Sequence, residues 1–194
     1  MKSIMIATKN KGKEKEYREL LAPLGYEVRT LLDFPDIPDI EETGQTFLEN
    51  AMIKAKQVAK ICQIPVLADD SGLEVEALNN RPGVYSRRYA GTGNDLDNNQ
   101  KLLKEMEGKT NRKARFVCQI VYMEPDKPIR SYEGVAEGTL AYELHPGNGF
   151  GYDPLFYVFE AGKYMSQLAT EEKNKISHRG KALAKLVKDL ADND

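Results

Sequence analysis

The chain has 194 residues, with 28 Lys or Arg against 30 Asp or Glu, and a formal net charge of −2. This balance argues against a basic nucleic-acid-binding protein, whose affinity depends on neutralising phosphates. A hydrophobic fraction of 41% excludes a disordered chain. The apolar run after Met1 is too short for a signal peptide, and no segment approaches the roughly 20 apolar residues of a membrane helix. We therefore expect a cytoplasmic protein that binds neither nucleic acid nor membrane, folded as one domain over residues 1–194.

The first part of the chain alternates buried strands with an amphipathic segment. Ile4–Ala7 is typical of a strand buried on both faces, and the polar loop Thr8–Lys13 follows it. Apolar residues at helical spacing predict a helix over 13–24. A second strand is predicted over 26–32, and an acidic, proline-containing loop then runs to 41–44.

The rest of the sequence predicts further helices and, in its second half, strands that pair in an antiparallel or mixed sheet. A helix over 47–62 has a broad apolar face, and a buried strand over 66–68 runs into two adjacent acids. Short segments rich in Val, Tyr and Phe over 115–159 indicate antiparallel or mixed strands. Helices are also expected around 102–106 and 183–190. The order of elements predicts an α/β fold.

The two cysteines, Cys62 and Cys118, lie among apolar neighbours, one in a predicted helix and one in a predicted strand. Free cysteine behaves as a small apolar residue and is often buried. Two cysteines with such neighbours favour buried reduced thiols over a disulfide or a metal site.

The loop after the first strand has the composition of a polyphosphate-binding loop. A polar loop between a buried strand and a helix places backbone N–H groups at the carboxyl edge of the sheet, where anions bind in α/β folds. Lys9, Lys11 and Lys13 supply positive charge, and Thr8 and Asn10 supply donors. The loop lacks the Walker A pattern. The alternative is a solvated turn whose lysines only face water.

Asp69 and Asp70 follow an apolar strand directly, where two adjacent acids are costly to desolvate without a cation or donors. Their oxygens suit Mg²⁺, with Glu41 or Glu42 available from another loop. The alternatives are that Asp70 caps a turn at Ser71, and that the two glutamates belong to an exposed acidic loop.

The segment 148–154 contains glycines on both sides of Phe150, followed by Asp153. Glycine allows the backbone to approach a ligand closely, and an aromatic ring beside an acid can stack on a base while the acid accepts its N–H groups. The alternative is a hairpin turn with core aromatics.

Ser177 has the features of a helix N-cap, with His178 and Arg179 in the first turn. These two side chains offer hydrogen-bond donors that a helix cap does not require. The alternative is a histidine that serves packing or lies at the surface.

Six motifs follow one another across nearly the whole chain. They are Thr8-x-Asn10-x-x-Lys13, Glu41-Glu-Thr-Gly44 with Phe47-x-Glu-Asn50, Ala68-Asp-Asp-Ser-Gly-Leu73, Pro82-Gly-Val-Tyr-Ser86, Phe150-Gly-Tyr-Asp153 and Ser177-His-Arg179. In this combination the sequence closely resembles the inosine/xanthosine triphosphate pyrophosphatases, which hydrolyse non-standard purine nucleoside triphosphates. The resemblance implies an α/β fold with a long mixed β-sheet flanked by helices, and two lobes with a central active-site cleft. It also implies a homodimer that requires Mg²⁺.

The same resemblance implies the roles of individual residues in converting ITP, dITP and XTP to the nucleoside monophosphate and pyrophosphate. Asp70 would accept the proton, and Glu41 and Asp70 would hold the metal. The implied substrate-binding residues are Thr8, Asn10, Lys11, Lys13, Ser71, Phe150, Gly151, Tyr152, Asp153, Lys173, His178 and Arg179. Chemistry alone leaves open whether Asp69 or Asp70 is the base. Lys9 stands where many family members have a small residue, which leaves the shape of this loop open.

Two other functions remain compatible with parts of this pattern. A related nucleotide pyrophosphatase of the Maf-like type, with a pyrimidine preference, shares the strand, loop and lysine at the start but would not be expected to carry Ser177-His-Arg179. A non-catalytic nucleotide sensor on the same fold would not need both Glu41 and Asp70. A substrate assay distinguishes the three.

Overall fold

In a computed structural model, residues 2–193 of the chain are described. The helices of this part are α1 (Lys11–Leu21), α2 (Phe47–Ala59), α3 (Asp95–Glu105), α4 (Thr170–Ile176) and α5 (His178–Asn193). The strands are β1 (Lys2–Ile6), β2 (Tyr26–Thr30), β3 (Val66–Val75), β4 (Arg81–Pro82), β5 (Lys113–Met123), β6 (Arg130–Leu140), β7 (Phe156–Val158) and β8 (Lys163–Tyr164). No helix within these residues combines the length and the apolar character needed to cross a membrane.

The strands form one open, mixed sheet in the order β2-β1-β3-β5-β6-β7-β8, and β4 pairs with β3 outside this path. The pairs of β1 with β2 and with β3 are parallel. The pairs β3–β4, β6–β7 and β7–β8 are antiparallel. The predicted fold class, an α/β protein with a long mixed sheet flanked by helices, is therefore confirmed.

The chain divides into two compact units. Among the described residues, the first comprises 2–70, 119–133 and 182–193, and the second comprises 71–118 and 134–181. In the first unit, small apolar residues of α2 pack against β1 and β3 in one core. In the second unit, a separate core joins the second half of β3 to α3, β5, β6 and β7. Each unit therefore buries an apolar core of its own.

Strand β3 is longer than its sequence pattern predicts. The apolar run predicts a strand over 66–68, with both acids after its end, but the strand continues through Asp69 and Asp70 to Val75. Its pairing with β1 stops at Ile6 and Leu67, so the acids lie just beyond the carboxyl end of β1. Leu73 and Val75 then enter the core of the second unit, and their burial explains why the strand does not end at the acids.

Other boundaries also differ from the prediction. The several short strands expected over 115–159 are mainly two eleven-residue strands, β5 and β6. Helix α4 has no apolar periodicity, and Lys173 is its buried residue, so periodicity alone could not predict it. Both cysteines are thiols, and Cys118 is buried as predicted. Cys62, however, lies beyond the end of α2 and is only partly buried.

Candidate active site

The loop after β1 is built around the start of α1. Asn10 is the N-cap of this helix, and its Oδ1 accepts hydrogen bonds from the backbone N–H groups of Gly12 and Lys13 at 2.9 and 3.2 Å. The backbone N–H of Asn10 donates in turn to Thr8 Oγ1 at 3.1 Å. The expected phosphate loop is therefore an ordered helix cap at the carboxyl end of a buried strand, which is a favourable place for an anion.

Lys13 connects this loop to the acids of β3. Its Nζ lies 3.2 Å from Asp69 Oδ1, and the carboxylate is almost fully buried. Lys11, by contrast, is exposed. The structure thus brings Lys13 to the acids of β3, whereas the binding role of Lys11 stays a prediction.

Lys9 links the same loop to the segment before the acidic residues 41 and 42. Its Nζ donates to the backbone carbonyl of Ile37 at 2.6 Å and lies 2.9 Å from Asp39 Oδ1. This side chain therefore has partners of its own. The long side chain of Lys9 is accommodated, and Thr8 and Asn10 still form the helix cap.

Asp70 is held by an amide from α2. Asn50 Nδ2 donates to Asp70 Oδ2 at 3.0 Å, and Asn50 Oδ1 accepts from the backbone N–H of Gly44 at 2.8 Å. Asn50 and Asp70 are 1% and 6% exposed. A single buried side chain thus fixes both the catalytic candidate and the end of the acidic loop.

Lys54 lies one helical turn after Asn50 and carries the second cation of this region. Its Nζ donates to the backbone carbonyl of Asp69 at 2.6 Å and lies 3.0 Å from Glu42 Oε1. We call Asp69, Asp70 and Glu42, together with Lys13, Lys54 and Asn50, the acidic cluster. All of these residues belong to the first unit.

The acidic cluster shifts the proton affinity of its members. Burial raises the pKa of Asp70 to about 6, while Lys54 and Lys13 oppose this shift and Glu42 adds to it. Burial alone would lower the pKa of Lys54, but the nearby carboxylates, led by Glu42, outweigh it and raise that pKa. Asp70 is therefore a stronger base than an ordinary aspartate and is still mostly ionised at neutral pH.

The two glutamates of the acidic loop differ in their surroundings. Glu42 contacts Lys54, whereas Glu41 is exposed. Within residues 2–193 no group of three or more His, Cys, Asp or Glu side chains is arranged to hold a metal ion.

The second unit contains the other predicted site residues. We call Gly149–Asp153 the aromatic turn. Asp153 Oδ2 accepts a hydrogen bond from the backbone N–H of Phe150 at 3.1 Å and another from Lys173 Nζ at 2.8 Å. The ring of Phe150 faces two cations, with Lys173 Nζ 5.2 Å and Arg179 Cζ 5.9 Å from its centroid. The segment is therefore an ordered turn with an aromatic ring among charged groups. It lies in the connection between the antiparallel strands β6 and β7.

Arg179 and His178 begin α5 and are both buried, at 1% and 6% exposure. Ser177 Oγ accepts from the backbone N–H of Gly180 at 3.1 Å, which confirms the predicted N-cap. Arg179 Nη2 donates to Ser71 Oγ at 2.9 Å, and the ring of His178 stacks on Phe116 at 4.7 Å. The structure thus brings Ser71, Arg179 and Phe150 to one region of the second unit.

Tyr152 has a structural role in the same unit. It is 4% exposed and belongs to the apolar core. Its hydroxyl donates to the backbone carbonyl of Ser86 at 2.6 Å. Contact of its side chain with a substrate stays a prediction.

Asn50 and Lys54 are not among the site residues that the sequence predicts. A signal for them is nevertheless present, because they lie four residues apart on the same face of α2 as Ala51, Ala55 and Val58. Polar residues at core-facing positions need partners that satisfy them. Their position on the apolar face is therefore the signal in the sequence that indicates a buried polar site beside this helix.

Comparisons with known proteins agree on one family. The sequence model of the Ham1 family matches residues 4–189. The chain is 51% identical to the dITP/XTP pyrophosphatase of Listeria innocua over 195 residues, which cover 99% of this chain and 96% of that protein. It is 52% identical to the dITP/XTP pyrophosphatase of Geobacillus kaustophilus over 96% of this chain and 93% of the other. The structure of the Staphylococcus aureus Ham1 protein is similar with a TM-score of 0.87 and 43% identity, covering 100% of both chains.

Proposed function

Because the chain belongs to the Ham1 family, we propose that it hydrolyses the non-standard purine nucleoside triphosphates ITP, dITP and XTP to the nucleoside monophosphate and pyrophosphate. Several relatives whose sequences are about 50% identical to this chain carry the name dITP/XTP pyrophosphatase. The observation that carries the proposal is the acidic cluster, in which Lys13 contacts Asp69 beside the buried base candidate Asp70. Such an enzyme would remove non-standard purines from the nucleotide pool.

Lys13, Lys54 and the loop before α1 would bind the phosphates. A triphosphate repels an attacking water oxygen unless its negative charge is offset. Lys13 and Lys54 supply two cations, and the start of α1 supplies backbone donors near Thr8 and Asn10. Placing these groups before the reaction lowers the barrier because they need not reorganise when charge develops.

Asp70 is the better candidate for the group that takes the proton from the attacking water. Asp69 Oδ1 already accepts a hydrogen bond from Lys13 Nζ at 3.2 Å. Without a bound metal, burial raises the pKa of Asp70 to about 6, which is close to the value that suits general base catalysis near neutral pH. A bound Mg²⁺ would lower this pKa again. Asn50 would hold Asp70 in place through the bond to Oδ2.

The carboxylates of the acidic cluster, together with that of Glu41, fit Mg²⁺. Carboxylate oxygens are the ligands that this ion prefers, and it is typically held by one or two of them together with water and substrate phosphates. Asp70 and Glu41 would hold it, and Glu42 offers a second carboxylate on the same loop. When bound, the ion would neutralise charge on the phosphates.

His178, Arg179 and Phe150 would select the base. Inosine and xanthosine carry a carbonyl at purine C6 where adenine carries an amino group. His178 and Arg179 present donors at the start of α5, and Phe150 presents an aromatic face for stacking. Donors that pair with the 6-carbonyl would face the amino group of ATP, and sites built on such hydrogen bonds reject the mismatched analogue by about 10⁴-fold or more.

The decisive experiment compares ITP, XTP, GTP, ATP and dTTP with and without Mg²⁺ and measures pyrophosphate separately from orthophosphate. We expect pyrophosphate release, dependent on Mg²⁺, that is fastest for ITP and XTP. Orthophosphate as the only product would contradict the proposal. A preference for dTTP would favour a pyrimidine pyrophosphatase, and tight binding without turnover would favour a nucleotide sensor.

We also propose that the enzyme is a cytoplasmic homodimer that acts without nucleic acid. The dimer rests on the family resemblance, and the absence of nucleic acid rests on the net charge of −2. Light scattering coupled to size-exclusion chromatography measures the oligomeric state directly. A monomer at concentrations at which the enzyme is active would overturn the dimer.

A further inference from the structure

The backbone N–H and C=O groups of Gly151, at the centre of the aromatic turn, are both held by α3. Its N–H donates to Asp95 Oδ2 at 2.8 Å, and its carbonyl accepts from Asn99 Nδ2 at 2.9 Å. Asp95 and Asn99 are four residues apart and so lie on one face of the helix. Asn99 is 2% exposed, and its Nδ2 also donates to the carbonyl of Asp95 at 2.7 Å.

These bonds constrain the part of the turn that the proposed enzyme uses. Gly151 follows Phe150, whose ring faces Lys173 and Arg179, and it has a positive φ of 63°. Asp153 fixes the preceding peptide by accepting from the N–H of Phe150. With the peptides on both sides of Phe150 held, the position of its Cα and the direction of its Cα–Cβ bond are set before any ligand binds.

We infer that Asp95 and Asn99 form a clamp that positions the aromatic turn for base binding. This inference rests on the proposed function, because it assigns the clamp to the base-binding part of that site. Neither residue need touch the substrate, so both are positioning residues. Loss of the clamp would raise KM for ITP and leave kcat nearly unchanged, since the acidic cluster of the first unit is untouched.

Asp95 can be tested with two variants that differ in one hydrogen bond. Asp95→Asn and Asp95→Ala both remove the negative charge from the first turn of α3, so both lose the same helix-dipole stabilisation. The asparagine carbonyl can still accept from the N–H of Gly151, whereas alanine cannot. We expect Asp95→Ala to raise KM for ITP about 3- to 10-fold, the usual range for one hydrogen bond, and Asp95→Asn to stay near the wild type.

Asn99 has a matched control in its neighbour. Asn98 is equally buried at 2% exposure but holds a different segment, since it accepts from the N–H of Ala90 and donates to the carbonyl of Arg87, both at 2.8 Å. We expect Asn99→Ala and Asn98→Ala to lower the melting temperature by similar amounts. KM for ITP should rise with Asn99→Ala and stay within about twofold of the wild type with Asn98→Ala, whose lost bonds lie outside the turn.

Hydrogen–deuterium exchange of the peptide that contains 149–153 gives a second readout that needs no activity. We expect faster exchange there in Asp95→Ala and Asn99→Ala than in Asp95→Asn and Asn98→Ala. Equal KM values and equal exchange in all four variants would overturn the clamp. If the wild type released no pyrophosphate from ITP or XTP, the proposed function would fail, and the exchange data would still decide whether the clamp holds the turn.

Discussion

Asn50 joins the backbone of Gly44 to the carboxylate of Asp70. Its Oδ1 accepts from the Gly44 N–H at 2.8 Å, and its Nδ2 donates to Asp70 Oδ2 at 3.0 Å. A fixed amide of this kind specifies the distance between the acidic loop and β3 in a way that a mobile side chain could not. Because the bridge uses both ends of a buried amide, damage to either bond leaves a polar group unsatisfied.

Gly44→Ala should break this bridge without removing any functional group. A Cβ at this position would lie 2.6 Å from Asn50 Oδ1 and 3.0 Å from Asn50 N, so the loop or the amide must shift. We expect kcat for ITP to fall by about 10- to 100-fold, because small displacements of catalytic groups cost rates of this order. Gln45→Ala changes an exposed side chain of the same loop and should leave kcat near the wild-type value. Equal kcat in the two variants would show that the bridge does not position Asp70.

Asp70→Asn should remove most turnover while ITP still binds. The amide keeps the size of the side chain but cannot take a proton, and loss of a general base typically costs about 10²- to 10⁴-fold in rate. Lys13 and Lys54 remain to bind phosphate. Steady-state kinetics and calorimetric titration with ITP measure the two effects separately. Asp69→Asn is the control, since the Asp69 carboxylate pairs with Lys13. A larger loss of kcat in Asp69→Asn than in Asp70→Asn would show that Asp69, and not Asp70, is the general base.

The sequence predicts most of the fold, because β1, α1, α2 and α5 each carry a strong apolar pattern and recognisable ends. It predicts less of β3, where burial in two cores overrides two consecutive acids. The acids and lysines of the site are visible as motifs. Asn50 and Asn99 are harder to predict, since each functions by bonding to a backbone group 6 or 52 residues away in the chain. Such partners are fixed by tertiary packing and not by local propensity.

The stability of the ligand-free protein should also respond to Asp70→Asn, in the opposite direction to activity. Burial raises the pKa of folded Asp70 to about 6, above the value of about 3.9 for an unfolded aspartate. The protonated form therefore favours folding, and this contribution is lost as pH rises through about 6. We expect Asp70→Asn, which cannot ionise, to be more stable than the wild type by about 1–3 kcal/mol at pH 8, with little difference at pH 4.

Urea unfolding of both proteins from pH 4 to pH 8 in the presence of EDTA measures this difference while divalent metal is kept away. The difference in unfolding free energy between Asp70→Asn and the wild type should increase from pH 4 to pH 7. A gap that is constant with pH would mean that Asp70 is not the group whose ionisation destabilises the fold.

Gly149→Ala should disturb the aromatic turn by a direct clash. Gly149 has a φ of 91°, and a Cβ there would overlap the carboxylate of Asp153 and lie 3.2 Å from Lys173 Nζ. We expect the Asp153–Lys173 pair to separate, with a rise of about tenfold or more in KM for ITP and a loss of about 1–3 kcal/mol in stability. Gly162 is the matched control, because its φ is also positive at 62° but a Cβ would meet only Tyr157 Oη at 3.7 Å. Gly162→Ala carries the backbone cost of a positive φ, about 1–2 kcal/mol, and should leave KM unchanged. If both variants raised KM equally, the effect would come from a general loss of stability, and the turn would not be the base-binding element.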